Sequence, residues 1–183
     1  MFAIQLTERA QLRPLEPWQA EEFLAHIDRA RPDVDPWIPW ATFSTDLDSA
    51  RATLQRYADK QARDAARLYG IWLDGTLVGG TMFVAFDTTT GICEIGCWLE
   101  AAGTGHGLIT AAAQLMIDWA FRERGMHRIE WLTSPENVRS SNVARRLGMR
   151  LDGTLRDNFR YRDRWYDTQV WSLLADDRPG AAE

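Results

Sequence analysis

Residues 92–133 read ICEIGCWLEAAGTGHGLITAAAQLMIDWAFRERGMHRIEWLT, and the order of patterns within them decides the fold. The run 92–99 is rich in strand-forming residues and ends in a glycine-dense stretch, GTGHG at 103–107. From 108 to 122 apolar residues recur at helical spacing, with Leu108, Ala111, Ala112, Leu115, Met116 and Trp119 on one face. Gly125 ends that helix, and 128–133 is a second strand. Strand, helix and strand in this order predict a right-handed crossover between two parallel neighbours.

Upstream, 68–73 and 77–86 read as strands joined at Asp74-Gly75, a strong hairpin cue. A helix over 46–66 carries Leu47, Ala50, Leu54, Tyr57 and Ala58 at helical spacing. The segment RPDVDPWIPW at 31–40 holds three prolines and is expected to be irregular. Pro17 and the acids Glu21 and Glu22 open a first helix over 17–27. Residues 2–6 alternate like a strand, and 12–15 either pairs with it or leads into the helix. Downstream come a helix over 138–147 stopped by Gly148 and strands over 150–155 and 165–173. The expected fold is a single mixed α/β (α+β) domain over 1–174. Its mostly antiparallel sheet of six to seven strands has one splayed parallel pair and about four flanking helices. Residues 175–183 are expected to form a flexible tail.

The chain has 183 residues, 45% hydrophobic and 26% charged, enough for one packed core. Lys+Arg 21 against Asp+Glu 26 gives a net charge of -5, which disfavours direct nucleic-acid binding through phosphates. The stretch 101–117 lacks acids and bases, but Gly103, Gly105, His106, Gly107 and Gln114 interrupt it, so no membrane span is expected. Glu8 and Arg9 follow a short apolar start with no basic leader, so no signal peptide is expected. Cys93 and Cys97, four apart in a strand, are separated by about 13 Å, too far for a disulfide. Two thiols and the scattered His26, His106 and His127 do not suit a metal site. A reduced, metal-free cytoplasmic protein is expected. Between 122 and 164 lie 11 Arg and 6 acidic residues; the excess either holds an anionic ligand or is a solvated surface.

Gly103, Gly105 and Gly107 stand between a strand and a helix start. There glycine allows positive φ, and the first helical turn offers unpaired N–H groups to a phosphate. Glycines also serve ordinary turns and caps. The dinucleotide fingerprint G-x-G-x-x-G is excluded because Leu108 stands where a small residue is needed, and its acidic partner would fall on Glu123 inside the helix. A Walker A loop needs a lysine that is absent here.

The segments EIGCWL (94–99), AGTGHG (102–107), HRIEWLTSPEN (127–137) and NVRSSNVARRLGM (137–149) together resemble the GNAT acetyltransferase superfamily. The chain is most similar to its RimJ/RimL branch, which acetylates protein N-termini and other amines with acetyl-CoA. Trp37-Ile-Pro-Trp40 and GTLRD (153–157) extend the likeness nearly end to end. The departure is Ala102, where the superfamily loop has Arg or Gln.

The resemblance implies a GNAT-type domain that uses acetyl-CoA as cosubstrate and needs no metal. It also implies an amine acceptor, a small molecule or a protein N-terminus (ribosomal proteins included), attacked directly in a ternary complex, and a homodimer. The CoA pyrophosphate is expected on the N–H groups of Thr104, Gly105, His106, Gly107, Leu108 and Ile109. The pantetheine arm would run beside Trp98 and Leu99, with the Asn137 amide on the same arm. A main-chain N–H near Trp98 or Leu99 would face the acyl oxygen. Glu94 is the candidate general base, or else a carboxylate paired with an arginine. The family's Tyr position is Ala144 here, which leaves Ser140 to protonate the departing thiolate, or else to cap a helix. Trp37 and Trp40 are expected to wall the acceptor pocket or to anchor their loop. Trp72, Trp119, Trp131 and Trp171 are read as core, and His26 and His127 as structural. The changes at Ala102 and Ala144 keep open an acyl-CoA-binding module with little or no catalysis.

Overall fold

Asp74 and Gly75 both take positive φ, 49° and 80°, the pair that a two-residue hairpin turn matching the strand twist requires. The computed structural model describes residues 3–38, 43–161 and 163–177. The chain forms two compact units, residues 1–83 with 97–112 and residues 84–96 with 113–183.

In the first unit, β1 (Ile4–Gln5), β2 (Ala10–Pro14), β3 (Arg67–Leu73) and the start of β4 (Thr76–Asp87) pair antiparallel in sequence order. Residues 10–14 are thus a full strand bonded on both sides, which raises the strand count to eight from the six to seven expected. Helix α1 (Ala20–Val34) buries Phe23, His26, Ile27, Ala30 and Val34 along one stripe. Helix α2 (Leu47–Ala62) begins at Asp46, whose carboxylate accepts from the Ser49 N–H at 2.8 Å, and buries Ala50, Thr53 and Leu54.

The expectation that 31–40 is irregular needs correcting, because α1 runs through Pro32 to Val34. A proline in the final turn removes only one helical bond, and the Asp35 N–H still reaches the Arg31 carbonyl at 3.0 Å. Burial of Val34 rewards the extra turn. Trp37 follows in a turn, its N–H on the Val34 carbonyl. Trp40 lies outside the described residues.

In the second unit, β5 (Ile92–Leu99) pairs parallel with β6 (Arg128–Thr133), which pairs antiparallel with β8 (Arg164–Leu174), and β8 with β7 (Arg150–Tyr161). The strand order along the eight-stranded sheet is β1-β2-β3-β4-β5-β6-β8-β7. Helix α3 (Leu108–Arg122) links the parallel pair, and α4 (Val138–Arg146) precedes β7. The buried stripe of α3 is Leu108, Ile109, Ala112, Ala113, Met116, Ile117 and Ala120, turned from the expected face. Trp119 is consequently half-buried under the Arg124 guanidinium, 5.0 Å from its ring, whereas Trp72, Trp131 and Trp171 are core. β7 continues to Tyr161 through two register shifts, with Asp157 at φ 47° absorbing the irregularity. The first three residues of the expected tail, Ala175–Asp177, form a 3-10 turn in which the Asp177 carboxylate accepts from the Leu174 N–H.

Within the first unit, Gly79 and Gly80 let β4 pass against Trp98 at the end of β5. A Cβ on Gly80 would lie 2.2 Å from the indole and 2.3 Å from the Tyr69 carbonyl; one on Gly79 would lie 2.5 Å from the Trp98 carbonyl. Because one blocking atom is backbone, G80A is expected to lose about 1–3 kcal/mol or more from overpacking. Urea unfolding checks this, and an unchanged midpoint would mean that the strands can yield.

Candidate active site

The glycine loop leaves main-chain donors unspent. Gly105 and Gly107 sit at φ 87° and 69°, and a side chain at either would meet nothing within 4 Å. The first helical bond of α3 runs from the Ala111 N–H to the Gly107 carbonyl. The N–H groups of Leu108, Ile109 and Thr110 therefore precede the ladder and have no acceptor among the described residues. They lie where the helix dipole is positive, beside the exposed residues 104–107. Gly103 has a different task, since a Cβ there would lie 2.6 Å from Leu99. This cradle fits a diphosphate, and the missing side chain at Ala102 takes no main-chain donor from it.

β5 ends in a second set of directed groups. The Glu100 N–H bonds the Val78 carbonyl of β4 at 2.9 Å. Successive N–H groups of a strand alternate in direction, so that of Leu99 points away from β4. The Trp98 indole is buried and donates its N–H to His26 Nε2 at 2.9 Å. Sequence reading assigned Trp98 to the cofactor arm; its ring is committed to the interior. His26 Nδ1 meets Glu100 Oε2 at 3.2 Å, and Arg29 Nε meets the same oxygen at 3.3 Å. Burial, followed by the charge of Arg29, pushes the His26 pKa down to about 4, so the imidazole is neutral near pH 7. An indole N–H can only donate, which places the single imidazole proton on Nδ1, facing Glu100.

In the second unit the parallel ladder between β5 and β6 registers three pairs only, ending at Glu94 and Glu130. Burial, and next the Glu130 charge, push the Glu94 carboxyl up to about 7. Arg128 is engaged elsewhere, at 2.8 Å from Glu130 and 2.6 Å from Asp152. Among the described residues no ion pair reaches Glu94. Asn137 caps α4, its Oδ1 accepting from the Ser140 N–H at 3.1 Å. The capping alternative for Ser140 thus falls to Asn137. The Ser140 hydroxyl instead accepts from the Trp131 indole at 2.9 Å, which leaves its own proton to donate. Ala144, at the family's Tyr position, is fully buried.

The described residues thus bring Trp98, Leu99, Thr104, Gly105, His106, Gly107, Leu108 and Ile109 together in one unit, and Glu94, Asn137 and Ser140 in the other. Trp37 lies 37% exposed in its turn. Sequence reading missed Arg29 and Glu100 altogether. A faint signal existed, because His26 falls on the apolar stripe of α1, where a polar residue needs a buried partner. Cys93 and Cys97 are free, and burial lifts both thiols to about 12, which leaves them unreactive. Among the described residues no group of side chains is placed to hold a metal ion, and no helix is long and apolar enough to cross a membrane.

Known proteins share this pattern. Residues 9–150 match the acetyltransferase (GNAT) domain family. The chain is 30% identical over 179 residues to YdaF of Bacillus subtilis (strain 168), named by inference a ribosomal N-acetyltransferase, covering 95% of this chain and 96% of that one. Its fold superposes on RimL, a ribosomal L7/L12 α-N-protein acetyltransferase solved with coenzyme A, with TM-score 0.87, 20% identity and 94% and 97% of the two chains covered. It also superposes on the microcin C7 self-immunity acetyltransferase MccE solved with acetyl-CoA and AMP, with TM-score 0.86, 20% identity and 93% and 95% covered. With a family match over most of its length and a relative matched almost end to end, the chain belongs to the GNAT acetyltransferase family and is an acyltransferase.

Proposed function

We propose that the protein transfers the acetyl group of acetyl-CoA to a primary amine by direct attack, with both substrates bound. The acceptor is the α-amine of a protein N-terminus, a ribosomal protein being the first choice, or a small-molecule amine. The observation that carries this reading is the row of unspent N–H groups of Leu108, Ile109 and Thr110 at the start of α3, beside the exposed loop 104–107. Acetyl-CoA is the cosubstrate that suits it, as in the solved MccE complex, and the protein-terminal acceptor follows the names of YdaF and RimL.

Bound acetyl-CoA supplies an electrophilic acyl carbon on a thiolate leaving group. The residues 104–109 hold its diphosphate with backbone donors. Main-chain groups of Trp98 and Leu99 line the arm, and the Leu99 N–H, directed away from β4, stabilises charge on the acyl oxygen. The Asn137 side chain keeps its amide donor after capping α4 and gives it to the same arm. Glu94, titrating near neutrality, takes the proton from the incoming amine directly or through water. An α-amine, with a pKa of about 7.7–8.0, yields that proton far more readily than a lysine at about 10.4. Ser140 donates its proton to the departing sulfur. Trp37 and Trp40 wall the acceptor side.

The catalytic domain is taken as residues 1–174, and the two free thiols suit a reducing, cytoplasmic compartment. We further infer a homodimer. β7 ends the sheet, is exposed from Arg150 to Arg160 on both faces, and with β8 presents Leu151, Leu155, Phe159 and Trp165 to solvent. An edge strand this apolar favours a cover. Sedimentation at micromolar concentration tests it, and a monomer at all concentrations refutes it.

Titrating acetyl-CoA calorimetrically and following CoA release with N-terminal peptides and small amines tests the main reading. Binding without turnover on any acceptor would favour a non-catalytic acyl-CoA module. G107V, which puts a side chain at a left-handed position, is expected to weaken acetyl-CoA binding by about tenfold to hundredfold, the loss of one or two charge-assisted hydrogen bonds. Unchanged affinity would remove the loop from the site. S140A is expected to lower kcat more than acetyl-CoA affinity, while the orphaned Trp131 N–H costs about 1–3 kcal/mol of stability. Glu94 has a folded pKa raised above its ordinary value of 4.5, so its favourable contribution to stability is full below pH 4.5 and is lost as pH rises through about 7. E94Q should therefore gain stability relative to the parent between pH 5 and 8, while losing the rise in kcat centred near pH 7. A parent profile flat through that range would exclude Glu94 as the base.

A further inference from the structure

Three polar side chains on one face of α1, His26, Arg29 and Asp33, grip Trp98, Glu100 and Ala101, three of the four residues 98–101 at the exit of β5. His26 Nε2 accepts from the Trp98 indole at 2.9 Å. His26 Nδ1 and Arg29 Nε converge on Glu100 Oε2 at 3.2 and 3.3 Å. Asp33 Oδ2 accepts from the Ala101 N–H at 3.0 Å. Arg29 is itself fixed to β4, donating to the Leu77 carbonyl at 2.9 Å. The spacing of three and four residues puts all three groups on one helical stripe. His26 is fully buried and Glu100 nearly so. Such a set costs desolvation and adds little net stability over an apolar packing. What it does supply is direction. On its other side, Trp98 packs against Gly79 and Gly80 so closely that neither could carry a Cβ without a shift. Residues 98–101 are therefore held on both flanks, and Leu99, which bears the N–H assigned to the acyl oxygen, lies among them.

We propose that His26, with Arg29 and Asp33, is a positioning residue for acyl transfer: through Trp98, Glu100 and Ala101 it sets the direction of the Leu99 N–H, and so sets kcat more than cosubstrate affinity. The proposal rests on the acetyl-transfer reading above. Affinity resides chiefly in the separate cradle at 104–109, which explains the expected split. A side chain present only to pack would not produce it.

The test compares H26L, H26Q and W98F with the parent. A glutamine amide can accept from the indole with its oxygen and donate to Glu100 with its nitrogen, so H26Q is the conservative rescue. The first readout needs no cosubstrate: amide and indole signals of nitrogen-labelled protein. In H26L the Trp98 indole signal and the main-chain signals of Leu99 and Ala101 should shift, and in H26Q they should return toward the parent positions. The second readout is steady-state kinetics with acetyl-CoA and a peptide beginning with serine. For H26L and W98F, kcat should fall about tenfold or more while KM for acetyl-CoA changes less than about threefold, and H26Q should recover most of the rate. Unmoved main-chain signals, an unchanged kcat, or a kcat loss that only matches loss of folded protein would overturn the clamp. If H26L fails to fold, W98F, in which a phenyl replaces the indole and the N–H is lost with the five-membered ring, decides, with kcat read per folded protein. A parent protein that does not bind acetyl-CoA would instead sink the acetyl-transfer reading, and the amide signals alone would then decide the clamp.

Discussion

The main chain at the end of β5 is the constraint on which the site depends. Trp98 is pinned there by two contacts of opposite kind. The two glycines of β4 admit its ring and carbonyl at distances no Cβ would tolerate, and a buried imidazole holds its indole N–H. From that fixed point the chain turns through a 3-10 segment, Ala101–Gly103, into the glycine loop and then α3. An error of direction at Trp98 would propagate to every donor that follows. A β-strand followed by a helix can present a row of N–H groups only if the turn between them is held, since loop backbone left to itself samples many conformations.

Electrostatics separate the two acid groups of interest by environment, not by residue type. Glu94 and Glu100 lie six positions apart on the same stretch of chain. Glu100 is surrounded by donors, the Nδ1–H of His26 and the guanidinium of Arg29. Glu94 faces burial and a second carboxylate, which together raise its pKa toward neutrality. The first is an anchor, and the second is poised to exchange a proton near physiological pH. The two cysteines of the same strand follow the same rule in a different sense, because burial, joined at Cys93 by the Glu130 charge, holds their protons on.

Much of the fold was legible because local chemistry and tertiary packing agree. The Asp74-Gly75 turn, the Asp46 cap, the crossover helix and the parallel pair that it joins are all written in short-range patterns. Where sequence reading failed, the competing term was tertiary. Pro32 signals a helix end, but a last turn that loses one hydrogen bond survives when Val34 is buried by it. β2 was ambiguous because a five-residue strand has too little periodicity, and its pairing on both sides settles the matter. The buried face of α3 was misplaced because that helix is apolar nearly all round, which leaves periodicity little contrast.

The sequence by itself determined the class of fold and the glycine-rich turn between β5 and α3, because glycine spacing, capping residues and apolar periods act over a few positions. Only the tertiary structure decided how single groups are used. It made Asn137, not Ser140, the helix cap, withdrew the Trp98 ring into the interior, and left Glu94 without an ion pair among the described residues. It also joined His26 to Glu100 across seventy-four positions of chain. Hydrogen bonds and desolvation depend on which atoms meet in space, and no local pattern records that meeting.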